Sequence, residues 1–442
     1  MNLILATPLE LRLLLLFVLG TVLGAAVNLA VDRMRYHTPR LSPWNDWLDR
    51  RRGQAGSQKP ERSQRRRKGK AGNVAPRSAA DLVPVIGWMR LRREASRQDR
   101  GFWVRPMLVE LLLGLLLAWL YWWEVGQLAT VPFLGDPIDA AQVSLTALHL
   151  QYLRHVLLLV LMLAATLIDL DEWFIPDVIT VPGTLLGLAL SLVPASLLTS
   201  VTLGNVPEPT YLHAASPHPW PARLDAGTNL GLGVALGCWW LWCFALLPRV
   251  LRVRRGWRIA WAIFWRRFAG ARLTWWIAAM GLAGSAILAG FWYARIAAWP
   301  AVVSSLIGLA TGLVLVWVVR IVGTLILRRE AMGFGDVTLL GMIGAMLGWQ
   351  PVLMVFFIGP FFGLVPALLQ LLLRREHQLE LPYGPYLCAG ALTVLVFWAP
   401  LWEWGETLFG LGWLVPAVLA TCAPMLVVLL LLLQLIKRLF GR

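Results

Sequence analysis

Two aspartates stand where apolar runs meet polar chain. Asp169 closes an apolar run that begins at Val156, and the chain continues Leu170-Asp171-Glu172-Trp173-Phe174-Ile175-Pro176-Asp177. Asp336 follows Gly333-Phe334-Gly335, just before a second apolar run that starts at Val337. A carboxylate beside hydrocarbon is costly to keep ionised, so such a residue is read first as functional. Two carboxyls sharing a site cannot both ionise cheaply, so one holds a proton while the other stays charged. The charged one can act as general base on a water. The protonated one can hydrogen-bond a scissile carbonyl. That is the logic of an aspartic peptidase, and the two apparent pKa values would belong to the pair. Plainer roles compete. Asp177, after the helix-stopping Pro176, suits an N-cap, and Asp336 could cap the helix that follows it. Asp171 and Glu172 read as solvated. Gly333 and Gly335 favour the functional reading, because glycine lets a loop bend into the membrane and deliver Asp336.

The elements that must position these residues are helices in a bilayer. The chain has 442 residues, 58% hydrophobic and only 14% charged. An ordinary soluble domain carries about 25% charged residues, so a water-soluble core-and-shell protein is excluded. Apolar runs of about 20 residues match a hydrocarbon core about 30 Å thick, and unpaired backbone groups are costly in lipid, so the runs are helices. The fold class is therefore all-α and polytopic, with about eleven spans and a range of nine to eleven. The spans are expected near 9–31, 106–123, 152–170, 178–201, 227–247, 274–297, 301–327, 338–349, 351–373, 385–401 and 412–436. The eighth is short for a crossing, and either lies half-buried or forms a tight hairpin with the ninth at Gly348-Trp349-Gln350-Pro351.

Charge sets the orientation. The net charge is +16, from 40 Lys+Arg against 24 Asp+Glu. Residues 32–105 hold 20 basic and 7 acidic side chains, and residues 249–272 hold eight arginines and no acid. Basic loops stay on the cytoplasmic side, which places the N-terminus outside and the C-terminus inside. The first run reads as a span rather than a cleaved signal, since its only early base, Arg12, faces Glu10 and it stays apolar to Val31. Residues 51–80 have almost no apolar content and are expected to be disordered, meeting anionic lipid headgroups. No aromatic interleaving or known module supports nucleic-acid binding there. The three parts are a first span at 1–31, a basic cytoplasmic loop at 32–105 and a membrane body at 106–442. Cys238, Cys243, Cys388 and Cys422 all lie in apolar runs without a CxxC pair, which indicates small buried hydrophobes and no metal site.

The pattern resembles the type IV prepilin peptidases, polytopic aspartyl proteases of the bacterial inner membrane. Four blocks carry the likeness in order. They are Gly24-Ala25-Ala26-Val27-Asn28, then Asp81-Leu82-Val83-Pro84 with Arg105-Pro106-Met107-Leu108-Val109-Glu110, then residues 169–182, and last Gly333-Phe334-Gly335-Asp336 with a late Pro382-Tyr383-Gly384-Pro385-Tyr386. The resemblance implies that Asp169 and Asp336 are the catalytic pair. It implies a prepilin or pseudopilin substrate with a short basic leader, cut on the cytoplasmic side after a glycine, and no cofactor for that step. It also implies N-methylation of the new terminus with S-adenosylmethionine in bifunctional members. Many members bind zinc through two CxxC pairs in the loop corresponding to 32–105. None of the cysteines here lies in that loop, so zinc is not expected and methylation is open. The aspartates are 167 residues apart, which points to an insertion over about 204–300, and Thr338 stands where a lysine is frequent.

Other residues are weighed the same way. Glu110 could orient the loop against Arg105, or face water at the interface, and Asn28, Arg105 and Glu110 are together candidate loop or substrate contacts. Arg320 is expected to snorkel to the inner surface, with a leader contact as the alternative. Arg154 and His155 read as interfacial, and the tryptophans as an aromatic belt. A transporter or channel is the competing class, but it should show internal repeats and none is found. A secretion-complex scaffold that has lost activity is the third reading.

Overall fold

The computed structural model describes residues 7–34, 79–94, 101–127, 129–130, 145–193, 200–203, 206–209, 221–247, 272–327, 332–372, 382–409 and a few positions between 417 and 425. The expected disorder over 51–80 falls outside these residues save for the last two. So do most of the arginine block at 249–272 and most of the span expected at 412–436. The chain forms two compact units, Met1–Leu128 with Leu159–Phe174, and Ala129–Leu158 with Ile175–Arg442.

Among the described residues, six helices are long and apolar enough to cross a membrane, or seven if one bent pair counts as a span. Three further apolar helices are shorter, at Asp177–Ser191, Asn229–Ala245 and Phe334–Leu347. The protein is thus a helical multi-pass membrane protein. Among the described residues the exception to its helical character is a hairpin, β1 (Ser200–Leu203) against β2 (Val206–Pro209), antiparallel with Val201 opposite Glu208.

The first unit is built on α1 (Leu9–Met34) and α3 (Val104–Tyr121). Lipid tails are as apolar as leucine, so helices associate in a bilayer by close packing at small residues rather than by hydrophobic burial. That is what the sequence supplies. A Cβ on Gly20 would lie 2.6 Å from the Gly114 Cα, and one on Gly24 would lie 2.6 Å from the Glu110 Cα. The short α2 (Ile86–Leu91) sits between two 3₁₀ turns, Ala79–Leu82 and Arg92–Glu94. Its cluster is closed by the buried Asp81, whose carboxylate meets Arg90 Nε at 3.1 Å and Arg93 Nη2 at 2.7 Å. The unit also takes the second half of α4 (Leu145–Glu172), including Asp169.

In the second unit α5 (Asp177–Ser191), α6 (Asn229–Ala245), α7 (Arg272–Tyr293), α8 (Trp299–Leu327), α9 (Phe334–Leu347), α10 (Trp349–Leu372), α11 (Gly384–Val396) and α12 (Trp398–Phe409) follow in order. The core is α9, buried from Asp336 to Leu347 by α5, α8, α10 and α11. Gly308 of α8 and Gly344 of α9 leave room for their backbones to touch. The short eighth run is therefore an enclosed helix, parted from α10 by Gly348 at φ +96°.

Three expectations need correction. The fourth apolar run is helical only to Ser191, not to 201, and β1 begins at Ser200. The run expected as one crossing at 385–401 is two helices bent by 87° about Phe397. Arg154 and His155 are not interfacial: both are buried, Arg154 at 3% exposure. The guanidinium Nη2 of Arg154 donates to Gly187 O at 2.9 Å, Ser305 Oγ at 3.1 Å and Ala345 O at 3.2 Å, tying α4 to α5, α8 and α9. The tryptophans divide. Trp275 and Trp276 face outward, but Trp242, Trp299, Trp398 and Trp402 are fully buried in packing roles.

Candidate active site

Asp169 belongs to the first unit and Asp336 to the second, and each is 5% exposed. The side chain of Asp169 projects from the last turn of α4, where Leu167 and Ile168 are also buried. The helix stops before Pro176 because Trp173 takes a left-handed φ of +58° and donates its N–H to the Asp169 carbonyl at 3.0 Å. That bond closes a carbonyl which a helix end otherwise leaves open. Arg105, at the start of α3, reaches the same helix end. Its Nη1 donates to Asp171 Oδ1 at 2.5 Å and its Nη2 to Leu167 O at 3.3 Å. The clamp brackets Asp169 in sequence, and cationic groups are favoured at a helix C-terminus.

Glu110 does not face water and does not meet Arg105. It is 2% exposed and collects three donors from elsewhere in its unit. Val85 N donates to Oε2 at 2.6 Å, while Trp88 Nε1 at 2.7 Å and Asn28 Nδ2 at 3.1 Å donate to Oε1. Asn28 Nδ2 also donates to Pro106 O at 2.9 Å. One carboxylate therefore joins α1, α3 and the loop carrying α2. Val85 takes a strained φ of +62° that aims its N–H at this acceptor. Asn28, Arg105 and Glu110 thus lie in one unit, as anchors of the loop's end and of the α4 terminus.

In the second unit, Asp336 is the third residue of α9, whose N-cap is Gly333. It is not the capping residue itself, and neither is Asp177, since Pro176 holds that place on α5. Both glycines sit at close approaches, Gly335 at the tighter one. A Cβ on Gly333 would come 3.2 Å from Asp336 Oδ2, and one on Gly335 would come 2.7 Å from the Ile175 Cβ. Thr338, where a lysine was anticipated, is buried and donates Oγ1 to Gly335 O at 3.1 Å. Arg320 is half-buried: its Nη1 donates to Met332 O at 2.6 Å and its guanidinium lies 5.7 Å from the centre of the Phe334 ring.

Tyr383 was legible only as a letter in the late Pro-Tyr-Gly-Pro motif. Burial chiefly, and the Asp336 carboxylate in addition, push its hydroxyl well above the ordinary tyrosine range, so it stays protonated. Its oxygen would be 3.5 Å from a Cβ on Gly359 of α10. No sequence signal singled out Tyr383, or Arg154, as a partner of the site helices, because both act through residues distant in the chain.

Among the described residues no group of three or more His, Cys, Asp or Glu could hold a metal ion. The buried acids around α2 that could accept the ribose hydroxyls of S-adenosylmethionine are already engaged: Asp81 by two arginines, and Glu110 by three donors. The described part of the loop does not fit that group, and no step is derived through it.

The fold and these residues define a class, a multi-pass helical membrane protein with buried carboxyls at two helix ends. Residues 260–368 match the model of the type IV leader peptidase family. The matched stretch contains Arg320, Gly333, Gly335 and Asp336 and does not reach Asp169. A prepilin leader peptidase/N-methyltransferase of Aeromonas hydrophila is 32% identical over 106 residues, covering 24% of this chain and 37% of the relative. A protein of the same name from Pseudomonas aeruginosa is 30% identical over 153 residues, covering 31% and 53%. One from Pseudomonas putida is 28% identical over 129 residues, covering 28% and 42%. The chain spans about a third to a half of the length of these curated relatives. No solved structure matches it.

Proposed function

We propose that this protein is a membrane aspartic endopeptidase of the inner membrane. In this reading it removes the short basic leader of prepilin-like or pseudopilin-like proteins on the cytoplasmic side. The observation that carries it is Asp336, buried behind Gly333-Phe334-Gly335 inside the stretch that matches the leader peptidase family. Asp169 is the proposed partner, chosen for its place at the end of an apolar helix.

The chemistry follows from two carboxyls holding one proton. The ionised carboxylate takes a proton from water as the oxygen attacks the scissile carbonyl, and the protonated carboxyl donates to that carbonyl oxygen. The tetrahedral intermediate then collapses with proton transfer to the leaving amine. The basic loops and orientation favour an N-terminus outside and a C-terminus inside, with anionic headgroups as the loop's surroundings. Methylation is kept apart from this reading, because the relatives' name favours it and the cysteine-free loop does not.

Co-expression with a prepilin-like substrate tests the proposal. A mobility shift with the wild type, absent with Asp169→Asn or Asp336→Asn, is expected. Full processing by either variant removes that residue from the pair. Mass spectrometry of the mature terminus decides methylation separately.

A further inference from the structure

Arg320 sits in the last third of α8, about two turns before its end, in an otherwise apolar helix. An arginine there is costly unless it finds partners or reaches the interface. Its partners lie on the turn that leads into α9. Nη1 donates to Met332 O at 2.6 Å, the carbonyl just before the Gly333 N-cap. The guanidinium also covers the Phe334 ring at 5.7 Å, and Trp317, one turn earlier on α8, meets the same ring edge-on at 6.1 Å. The two grips fall on either side of Gly333.

That placement answers a problem the turn creates for itself. A Cβ on Gly335 would press on Ile175 at 2.7 Å, and one on Gly333 would crowd the Asp336 carboxylate at 3.2 Å. Two glycines in four residues leave the backbone with the most freedom to lose on ordering. Phe334 between them is the one side chain of the turn large enough to be gripped. A planar guanidinium can donate to a carbonyl and lie over an aromatic face together, whereas an ammonium is a point charge on a flexible stem.

We propose that Arg320 is a positioning residue for Asp336, fixing the Gly333-to-Asp336 turn through the Met332 carbonyl and the Phe334 ring. The inference rests on the peptidase reading for its catalytic consequence. Its structural half stands on the turn alone.

The test uses the full chain in detergent or nanodiscs with a prepilin-like substrate. Misplacement of a reacting group by about 1 Å costs roughly 10²-fold in rate, so Arg320→Gln should lower kcat by about that factor with KM little changed. Arg320→Lys should recover part of the loss, and Phe334→Ala combined with Arg320→Gln should be no worse than the more severe single variant. A second readout is independent of cleavage. Phe334 replaced by 4-fluorophenylalanine should give a ¹⁹F line that shifts and broadens in Arg320→Gln and partly returns in Arg320→Lys. An unchanged ¹⁹F line overturns the proposal. So does a rise in KM at constant kcat, which would make Arg320 a leader contact. If the ¹⁹F line responds and the wild type cleaves nothing, the peptidase reading fails while the hold on the turn stands.

Discussion

Glu110→Gln perturbs the best-defined polar centre of the first unit. The carboxylate accepts from Val85 N, Trp88 Nε1 and Asn28 Nδ2 at 2.6, 2.7 and 3.1 Å, inside an environment that leaves it 2% exposed. A hydrogen bond to a charged group contributes about 1.5–3 kcal/mol, and a neutral acceptor roughly half as much. Glutamine keeps one acceptor oxygen and presents an NH₂ where the other stood. With the amide oxygen toward Trp88 and Asn28, the NH₂ confronts the Val85 N–H. The opposite flip confronts the other two donors instead. The variant therefore loses at least one bond outright and weakens the rest, about 2–4 kcal/mol in total. Glu110→Ala removes the acceptor of both Val85 N and Trp88 Nε1, leaves Asn28 only Pro106 O, and should cost more. Unfolding of the purified protein in mild detergent measures the loss, and limited proteolysis around residues 79–94 reports whether the loop has come free. Trp88→Phe should be partly masked in the Glu110→Gln background, because both weaken or remove the same bond. Stability within about 0.5 kcal/mol of wild type, the range of an ordinary surface change, together with an unaltered proteolysis pattern, would refute the role given to Glu110.

Other outcomes follow from the same geometry. Gly335→Ala places a methyl 2.7 Å from the Ile175 Cβ, so it should destabilise by about 1–3 kcal/mol, as overpacking does, and cut leader cleavage more than Gly233→Ala, whose Cβ meets nothing within 4 Å. Arg154→Lys should cost about 2–4 kcal/mol in detergent unfolding, since a single ammonium cannot reproduce the guanidinium's bonds to Gly187, Ser305 and Ala345. Tyr383 keeps its proton above the ordinary value of 10.0 in the folded chain. An unfolded tyrosine ionises there and the folded one does not, so this part of the stability is present below that pH and is lost as pH rises past it. Tyr383→Phe should flatten the alkaline decline, which unfolding measured from pH 9 to about 11 would show.

Much of the site was legible because it is local. An apolar run that ends in Asp169 and a Gly333-Phe334-Gly335-Asp336 turn announce themselves by adjacent residues, and hydropathy alone gives the helical class. The parts that were misread depend on distant chain. Arg154 and His155 look interfacial because they stand near the start of an apolar run, but both are buried, and α5, α8 and α9 hold Arg154 from positions up to 191 residues away. The partners of Arg320 were not legible, because Met332 lies twelve residues on, beyond the end of α8. Glu110 shows the same limit, with partners 22, 25 and 82 residues off. The bend at Phe397 cuts an apolar run whose composition reads as continuous. The β1–β2 hairpin is the reverse case, two short segments close together in the chain that could have been taken from the sequence.

The central claim is that Asp169 and Asp336 act as one unit, and the leader cleavage rates of Asp169→Asn, Asp336→Asn and the double variant test it most directly. Residues that act as a unit are strongly non-additive. The account predicts that each single variant falls to the same residual rate as the double. Substantial cleavage by either single variant, or a double variant slower than each single by the product of their effects, would contradict it.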